Sequence, residues 1–110
     1  MNFSYPQQLC YNAAMKPSEA LAAHRNELRQ LVSRYDLSRP RIFGSVLTGT
    51  DTEESDLDLL VDATETTTLF TLARLEHAAQ ELLGVRVSVL TPGDLPVKFR
   101  DRVLERAQTL

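Results

Sequence analysis

The sequence predicts one domain of the α/β (α+β) class, in which a small mixed sheet is flanked by helices. Three observations support this prediction. The 110 residues are enough for a single hydrophobic core. Short apolar runs typical of strands alternate along the chain with longer segments of helical periodicity. Glycine and proline residues mark the boundaries between these segments.

The predicted elements alternate between helix and strand along most of the chain. Ser18 is expected to cap the first helix, Pro40 to introduce the first strand, and Gly84 to end the long second helix. In order, the predicted elements are a helix over residues 18–36, a strand over 41–43, a helical turn over 45–47, a strand over 57–61, a helix over 66–83, a strand over 85–90 and a helix over 96–107.

The lengths of the connections predict how the strands pair. The link between the first and second strands is too short for a helical crossover, so these strands should be antiparallel. The link between the second and third strands contains a helix and is long enough for a parallel crossover. The last helix should pack through an apolar inner face, formed by Phe99, Val103, Leu104 and Ala107.

Composition indicates the partners and the cellular compartment of the protein, but not its activity. The net charge of −3 disfavours nucleic acid as a partner. Cys10 is the only cysteine, which excludes an internal disulfide and favours a reducing compartment. There is no apolar run that could span a bilayer and no signal-peptide pattern at the start, so we expect no membrane association and a cytoplasmic location.

The first fourteen residues differ from the rest. Residues 1–14 lack clear periodicity, and we expect them to form a loose arm or to precede a translation start at Met15. An ordered extension that packs on the domain is the alternative. Residues 15–110 then form the domain itself.

Two aspartates, Asp56 and Asp58, sit inside an apolar strand-like run, although aspartate is depleted in strands. Asp56 and Asp58 are two residues apart, so they share one face and lie roughly 6–7 Å apart at Cα. Carboxylates this close repel each other unless a cation lies between them, and Mg²⁺ is the hard cation that best suits oxygen ligands. Between Arg41 and Arg74 there is no Lys or Arg, so this segment should attract cations.

A Gly-Ser turn precedes the aspartate pair by ten residues. Gly44 has no Cβ, so its backbone can approach a triphosphate closely. Ser45 offers a hydroxyl and a backbone N–H at the start of a helical turn, where phosphate oxygens are favoured. Alone, Gly-Ser is most simply an ordinary turn. Together with Asp56 and Asp58 it indicates a nucleotide site.

The arrangement Gly44-Ser45, ten residues, then Asp56-Leu57-Asp58 resembles the signature of the minimal nucleotidyltransferases, in the DNA polymerase beta-like superfamily. The resemblance covers roughly residues 17–107. It implies Mg²⁺-dependent transfer of a nucleoside monophosphate, typically AMP from ATP, with Gly44 and Ser45 on the phosphates and the aspartates on the metal. The small size resembles antitoxins whose partner is a HEPN-domain ribonuclease toxin, and the acceptor is then expected to be a tyrosine hydroxyl of that toxin.

One position departs from the family pattern. The family usually places a third carboxylate on the next strand, where this chain has Val87-Ser88-Val89, so Ser88 occupies the carboxylate position. A hydroxyl is a weak, neutral ligand, and loss of the carboxylate should slow transfer because it commonly helps to deprotonate the attacking group. Asp62 lies on the same strand face as Asp58 but about 13 Å further along, which makes it a poor substitute.

The departure at Ser88 leaves alternatives to catalysis by this chain. One is an antitoxin that neutralises its toxin by binding only. Another is nucleotide transfer to a small molecule such as an aminoglycoside, but family members of that kind usually carry an additional substrate-binding domain, for which this chain has no room.

Other motifs in the sequence do not hold up. Thr50 and Asp51 replace the Lys and Ser/Thr of a phosphate-binding P-loop, and Asp56 stands where an EF-hand loop needs glycine. His24 and His77 have no partner at metal-ligand spacing and are expected at the surface. The arginines of the last helix are Arg100, Arg102 and Arg106. They are most simply a solvent-exposed face of the helix. The functional alternative is contact with an acidic toxin surface or a nucleotide.

Overall fold

The structure is a computed structural model that describes residues 15–110, so the arm predicted over residues 1–14, with Cys10, lies outside the described residues. Within that range, no helix is long and apolar enough to cross a membrane. The elements in chain order are α1 (Pro17–Arg34), β1 (Ser38–Phe43), α2 (Ser45–Thr48), β2 (Leu57–Asp62), α3 (Leu69–Leu83), β3 (Val87–Leu90), a 3₁₀ turn (Pro92–Asp94), α4 (Val97–Arg106) and β4 (Gln108–Thr109).

The four strands form one mixed sheet in the order β3-β2-β1-β4. β1 pairs antiparallel with β2, and β2 pairs parallel with β3, as the connection lengths predict. The predicted fold class is therefore confirmed. β4 was not predicted because two residues carry no readable periodicity. It pairs antiparallel with β1, and the adjoining N–H of Leu110 donates to the carbonyl of Pro40 at 2.9 Å.

Helices α1 and α3 cover one face of the sheet. Alternate residues of β2 point into this layer, so Leu57, Leu59 and Val61 are fully buried there. The residues between them point to the opposite face, where Asp58 and Asp62 are half-buried. The side chains that form the core with β2 are Ala20, Leu21, Leu28, Val32, Leu37, Ile42, Leu75, Ala79, Leu83, Val85, Val87, Val89 and Leu110.

The start of α1 differs from the prediction. The helix begins at Pro17 after an N-cap at Lys16, so Ser18 is not the N-cap. Proline is favoured at the first helical position because its fixed φ suits the helix and its missing N–H costs nothing there. The N–H of Ser18 donates instead to Oδ2 of Asp51 at 2.9 Å, and a carboxylate from a distant loop thus caps the helix.

Helix α3 begins at Leu69, three residues later than predicted, with Thr68 as its N-cap. The threonines before it form local hydrogen bonds in place of a helical turn. The N–H of Thr64 donates to Oγ1 of Thr67 at 2.9 Å, and the N–H of Thr71 donates to Oγ1 of Thr68 at 3.3 Å. Threonine hydroxyls compete with helix formation in this way. Gly84 ends the helix in the left-handed conformation, as predicted.

The predictions for Pro40 and for α4 are each met only in part. Pro40 does not introduce β1 but lies inside it, where the pairing with β2 shifts register between Ser38 and Arg41.

The predicted inner face of α4 is the less exposed side of the helix, but it is not a core. Val103, Leu104 and Ala107 are half-buried, whereas Phe99 is 50% exposed, and the helix contains no fully buried residue. Part of the apolar side of α4 therefore faces water.

The outer edge of β3 is covered by side chains of α3. The N–H of Val87 donates to Oε1 of Gln80 at 3.2 Å, and the N–H of Val89 donates to Oε2 of Glu76 at 3.0 Å. Gln80 and Glu76 are four residues apart, so they lie on one face of the helix. They satisfy the edge donors that a further strand would otherwise pair with.

Replacing Glu76 by alanine should lower the free energy of unfolding by about 1–2 kcal/mol, because the half-buried N–H of Val89 loses its acceptor. Chemical denaturation would measure the change. Glu81→Ala is the matched control, since Glu81 is exposed on the same helix and contacts only His77. Equal costs for the two variants would contradict a role for Glu76 at the edge of the sheet.

Candidate functional site

The carboxylate of Asp58 lies directly against the backbone at Gly44. Gly44 has a φ of +79° and a ψ of −150°, a conformation that is essentially reserved for glycine. A Cβ on residue 44 would overlap Oδ2 of Asp58 and lie 3.1 Å from its Cγ. The pairing of Phe43 with Asp58 in the β1–β2 ladder brings the two together. The predicted turn and the predicted carboxylate are thus neighbours.

The turn at Gly44 leads into α2, which begins at Ser45 as predicted and ends at Thr48, one residue later than predicted, with Gly49 as its C-cap. The backbone N–H groups used inside this short helix belong to its end: Thr48, Gly49 and Thr50 donate to carbonyls of the preceding turn. The N–H groups at the start of a helix have no partner within it. The N–H of Ser45, at the start of α2, therefore has no partner within the helix.

Replacing Gly44 by alanine should lower the free energy of unfolding by about 2–4 kcal/mol, because the new methyl group is strained and overlaps Asp58. The matched control is Gly49→Ala, which shares a positive φ of +75° but has open space around its Cβ. The control should cost only about 1 kcal/mol, the strain alone. Denaturation of both variants would decide, and equal losses would mean that the contact with Asp58 contributes nothing.

Burial and a neighbouring charge act together on Asp58. Removal of its carboxylate from water raises its pKa above the ordinary value of 3.8, and repulsion by Asp56 raises it further. Among the described residues, no hydrogen bond or ion pair to this carboxylate is present. The ionised form of Asp58 is therefore destabilised in the folded protein, and a nearby cation would relieve this destabilisation.

Asp56 lies just before β2 and not inside it, since the strand begins at Leu57. Its Oδ1 lies 3.0 Å from Nε of Arg86, in an ion pair open to solvent. The guanidinium of Arg86 also donates to the carbonyl oxygen of Glu54. Arg86 therefore ties down the segment that carries Asp56.

Ser88 is the direct neighbour of Asp58 in the parallel β2–β3 ladder. Val87 and Val89 on either side are buried in the core, so Ser88 points to the other face together with Asp58. The strand pairing thus brings Ser88 beside Asp58, and its place at a third carboxylate position stays a prediction. Within residues 15–110, no group of three His, Cys, Asp or Glu side chains is placed to hold a metal ion.

The two aspartates suit a hard divalent cation. The repulsion from Asp56 and the burial of Asp58 penalise two negative charges at this point, and a cation between the carboxylates would relieve both. Carboxylate oxygens are also the ligands that Mg²⁺ prefers. The residues present therefore fit Mg²⁺ through Asp56 and Asp58, with the hydroxyl of Ser88 as a weak third donor.

The remaining carboxylates of this region are engaged elsewhere. Asp62 pairs with the guanidinium of Arg41 and lies 3.4 Å from that of Arg39, at the far end of β2. Asp51 caps α1: burial alone would raise its pKa, but the hydrogen bonds from Ser18 and its own backbone outweigh this and lower it. Neither residue contributes to the pair formed by Asp56 and Asp58.

The other sequence candidates also lie outside this site. His24 and His77 each contact a glutamate on their own helix, which agrees with the predicted surface positions. Arg102 and Arg106 are exposed on α4. Arg100 is not simply solvated, because its guanidinium donates to the carbonyl of Leu95 at 3.0 Å and so supports the 3₁₀ turn.

Arg86 is the site residue that sequence reasoning missed. The signal lies in the alignment of two strands: Leu57 pairs with Val87, so the residues before them, Asp56 and Arg86, meet at the same end of the sheet. Opposite charges one residue ahead of two parallel strands would have suggested the pair, but the register of the strands was needed to align them.

Known proteins resemble this chain over most of its length. A profile described as a nucleotidyltransferase domain matches residues 21–110. A protein of Thermococcus cleftensis named protein adenylyltransferase MntA is 37% identical over 84 residues, which cover 76% of this chain and 82% of that protein. A protein of Methanocaldococcus jannaschii, provisionally named a protein adenylyltransferase, is 34% identical over 86 residues, covering 74% of this chain and 92% of its own.

Solved structures share the fold. One provisionally named as a minimal nucleotidyltransferase has a TM-score of 0.76 and 38% identity, and the match covers 96% of this chain and all of that one. A crystal structure named as a toxin–antitoxin with AMP-PNP has a TM-score of 0.66 over 76% of this chain and 69% of that chain. At 21% identity, this second likeness concerns the fold alone.

Proposed function

Because the chain belongs to the nucleotidyltransferase domain family, as its sequence indicated, we propose that it is an antitoxin that modifies its toxin with a nucleotide. The group transferred is a nucleoside monophosphate, AMP from ATP, and the acceptor is a hydroxyl, a tyrosine of a HEPN-domain ribonuclease toxin. Support comes from the relatives named protein adenylyltransferase and from the fold shared with a toxin–antitoxin structure that contains AMP-PNP.

One observation carries the proposal: the carboxylate of Asp58 fills the space in front of Gly44. The turn that suits phosphates and the carboxylates that suit Mg²⁺ are therefore parts of one continuous surface. In the proposed complex, the backbone at Gly44 and the N–H and hydroxyl of Ser45 bind phosphate oxygens. Asp56 and Asp58 hold Mg²⁺, which when bound stabilises the negative charge that develops on the phosphates.

The proposed reaction is a displacement at the α-phosphorus. The acceptor oxygen forms a bond to this phosphorus, the bond to the bridging oxygen breaks, and pyrophosphate leaves. The proton of the acceptor hydroxyl must go to solvent, because Ser88 is not a base at neutral pH. The residues of the chain thus provide binding and orientation, and the part usually supplied by a third carboxylate is missing.

A second candidate function follows from Ser88 itself. This hydroxyl stands beside Asp58 in the strand pairing, at the family's third carboxylate position, and the described residues offer no third metal-binding side chain there. A chain with too little catalytic power could still neutralise its toxin by covering it. The alternative is therefore a catalytically degenerate antitoxin that acts by binding only.

Intact-mass spectrometry of the partner separates these two functions. The product of the neighbouring gene, if it encodes a HEPN protein, would be incubated with this chain, Mg²⁺ and each nucleoside triphosphate in turn. We expect the mass of the partner to increase in steps of one adenylate with ATP. A stable complex whose partner gains no mass would overturn transfer and support binding only.

Two variants make the result specific to the site. Asp56→Asn/Asp58→Asn should leave the partner unmodified while complex formation, measured separately, persists. Glu65→Gln is the matched control, because Glu65 is an exposed carboxylate of the same acidic segment and should leave transfer unchanged. Transfer that persists in the double variant would show that the site lies elsewhere.

A further inference from the structure

Arg86 holds the segment before β2 through three separate contacts. Its Nε forms an ion pair with Oδ1 of Asp56 at 3.0 Å, and its guanidinium donates to the carbonyl of Glu54. Its backbone carbonyl accepts from the N–H of Leu57 at 2.8 Å. The first two contacts depend on the side chain, whereas the third belongs to the sheet and does not.

Arginine–aspartate pairs lie at both ends of β2 and are built differently. At Asp62, which the exposed Arg39 also approaches to 3.4 Å, the side chain of Arg41 is only 9% exposed. Around Asp56, the side chain of Arg86 is 62% exposed and that of Asp56 is 43% exposed. An ion pair so open to water contributes little to stability. The hydrogen bond to the carbonyl of Glu54 is also exposed, so water can replace the guanidinium there when it moves away.

We propose that Arg86 is an exchangeable counter-ion of Asp56, present in the metal-free protein and displaced when a divalent cation binds. This inference rests on the metal site of the proposed function. The half-buried Asp58 gives Asp56 a repulsive neighbour, and Arg86 supplies the opposing positive charge until a metal ion takes its place. In the metal-free protein, Nε of Arg86 pairs with Oδ1 of Asp56, an oxygen that the metal ion would otherwise be free to bind.

The consequence is competition between Arg86 and the metal for Asp56. Arg86→Gln removes the competing charge but keeps the backbone bond to Leu57, so the segment stays attached to the sheet. Metal should then bind more tightly. Removing one positive charge next to a divalent cation in a solvent-exposed site should tighten binding about three- to tenfold at low salt.

The test is a titration of the protein with Mn²⁺ alone. Binding is measured by isothermal titration calorimetry or from the EPR signal of free Mn²⁺. Arg86→Gln should bind about three- to tenfold more tightly than the unaltered chain, and Arg86→Lys, which keeps the charge, should stay closer to it. Arg102→Gln, an exposed arginine on α4, controls for the change in net charge and should have no effect.

A second comparison removes the partner of Arg86. In an Asp56→Asn background, the effect of Arg86→Gln on the affinity for Mn²⁺ should shrink, because the competition for this carboxylate is gone and only the repulsion between the guanidinium and the metal ion remains. An effect of the same size in that background would come from the general field of the protein and would overturn the proposal.

The outcomes separate this proposal from the function on which it rests. Unchanged or weaker Mn²⁺ binding by Arg86→Gln would overturn the role of Arg86 and leave the metal site intact. Absence of Mn²⁺ binding from every variant would remove the metal site, and the counter-ion role with it. Tighter binding by Arg86→Gln, without any modification of the partner, would support the counter-ion role and count against transfer.

Discussion

Replacing Asp58 by asparagine should reduce nucleotide transfer at least about a hundredfold, because the proposed site loses one of the two charges that would hold Mg²⁺. The same change should stabilise the protein at neutral pH in the absence of metal. Burial and repulsion by Asp56 penalise the ionised carboxylate, and an amide of nearly the same shape carries no charge to penalise. Activity and stability should therefore move in opposite directions.

The pH dependence of stability follows from the direction of the pKa shift. Since the pKa of Asp58 is raised in the folded protein, the folded state binds more protons than the unfolded chain between the ordinary value of 3.8 and the raised one. The free energy of unfolding therefore falls as the pH rises through this interval. The advantage of Asp58→Asn should be absent in acid, grow through the interval and remain constant above it.

Thermal denaturation from about pH 3 to about pH 8 would measure this advantage, with Mg²⁺ absent and then present. Saturating Mg²⁺ should stabilise the unaltered protein but not Asp58→Asn, since a ligand stabilises only the state that binds it. Glu65→Gln provides the control, an exposed carboxylate whose loss should change neither profile. A loss of stability in Asp58→Asn at neutral pH would contradict the described electrostatics of the site.

Replacing Ser88 by aspartate should raise the rate of transfer by about a hundredfold or more, since a positioned general base contributes this much. The new carboxylate would stand beside Asp58, its partner in the β2–β3 ladder, on the face that carries the site. It would add a third charged ligand for the metal and a group that accepts the proton of the attacking hydroxyl. Affinity for Mg²⁺ should increase as well.

The gain of Ser88→Asp should come with a loss of stability when metal is absent. Three carboxylates would then repel one another, so the free energy of unfolding should fall by about 1–2 kcal/mol until Mg²⁺ is added. Ser88→Asn is the matched control, because it has the size of aspartate without the charge. Rates of adenylate transfer to the partner and denaturation curves with and without Mg²⁺ would test both effects.

The interpretation of the Ser88→Asp variant depends on the rate of nucleotide transfer by the unaltered chain. If transfer is undetectable with Ser88 and appears with aspartate, the chain is a degenerate enzyme that acts by binding. If both transfer, the two aspartates suffice and the third carboxylate only accelerates the reaction. A Ser88→Asp variant no faster than Ser88→Asn would mean that Ser88 does not occupy the position of a catalytic carboxylate.

Much of the fold was predictable because it depends on local patterns. The alternation of buried and half-buried residues along β3 and the glycine that ends α3 are properties of short segments. The antiparallel and parallel pairings follow from the lengths of the connections. The predictions failed where a distant group intervened, as at Ser18, whose N–H is bound by Asp51 rather than by its own turn.

The exposed α4 illustrates a different limit. Its apolar residues have the spacing of an inner face, yet Val97 is 79% exposed and Phe99 50% exposed. Periodicity reports that a helix has an apolar side but not what covers that side. Only the arrangement of the other elements decides whether a core is there to receive it.

By itself, the sequence determined the family of this protein and the chemical character of its site. The glycine-serine turn and the two aspartates two residues apart are recognised from residue type and short spacing alone. Neither feature depends on how the rest of the chain folds. The tertiary structure decided which of these groups meet. Asp58 lies against Gly44, Ser88 stands beside Asp58, and Arg86 holds Asp56, because strand register joins residues that are far apart in sequence.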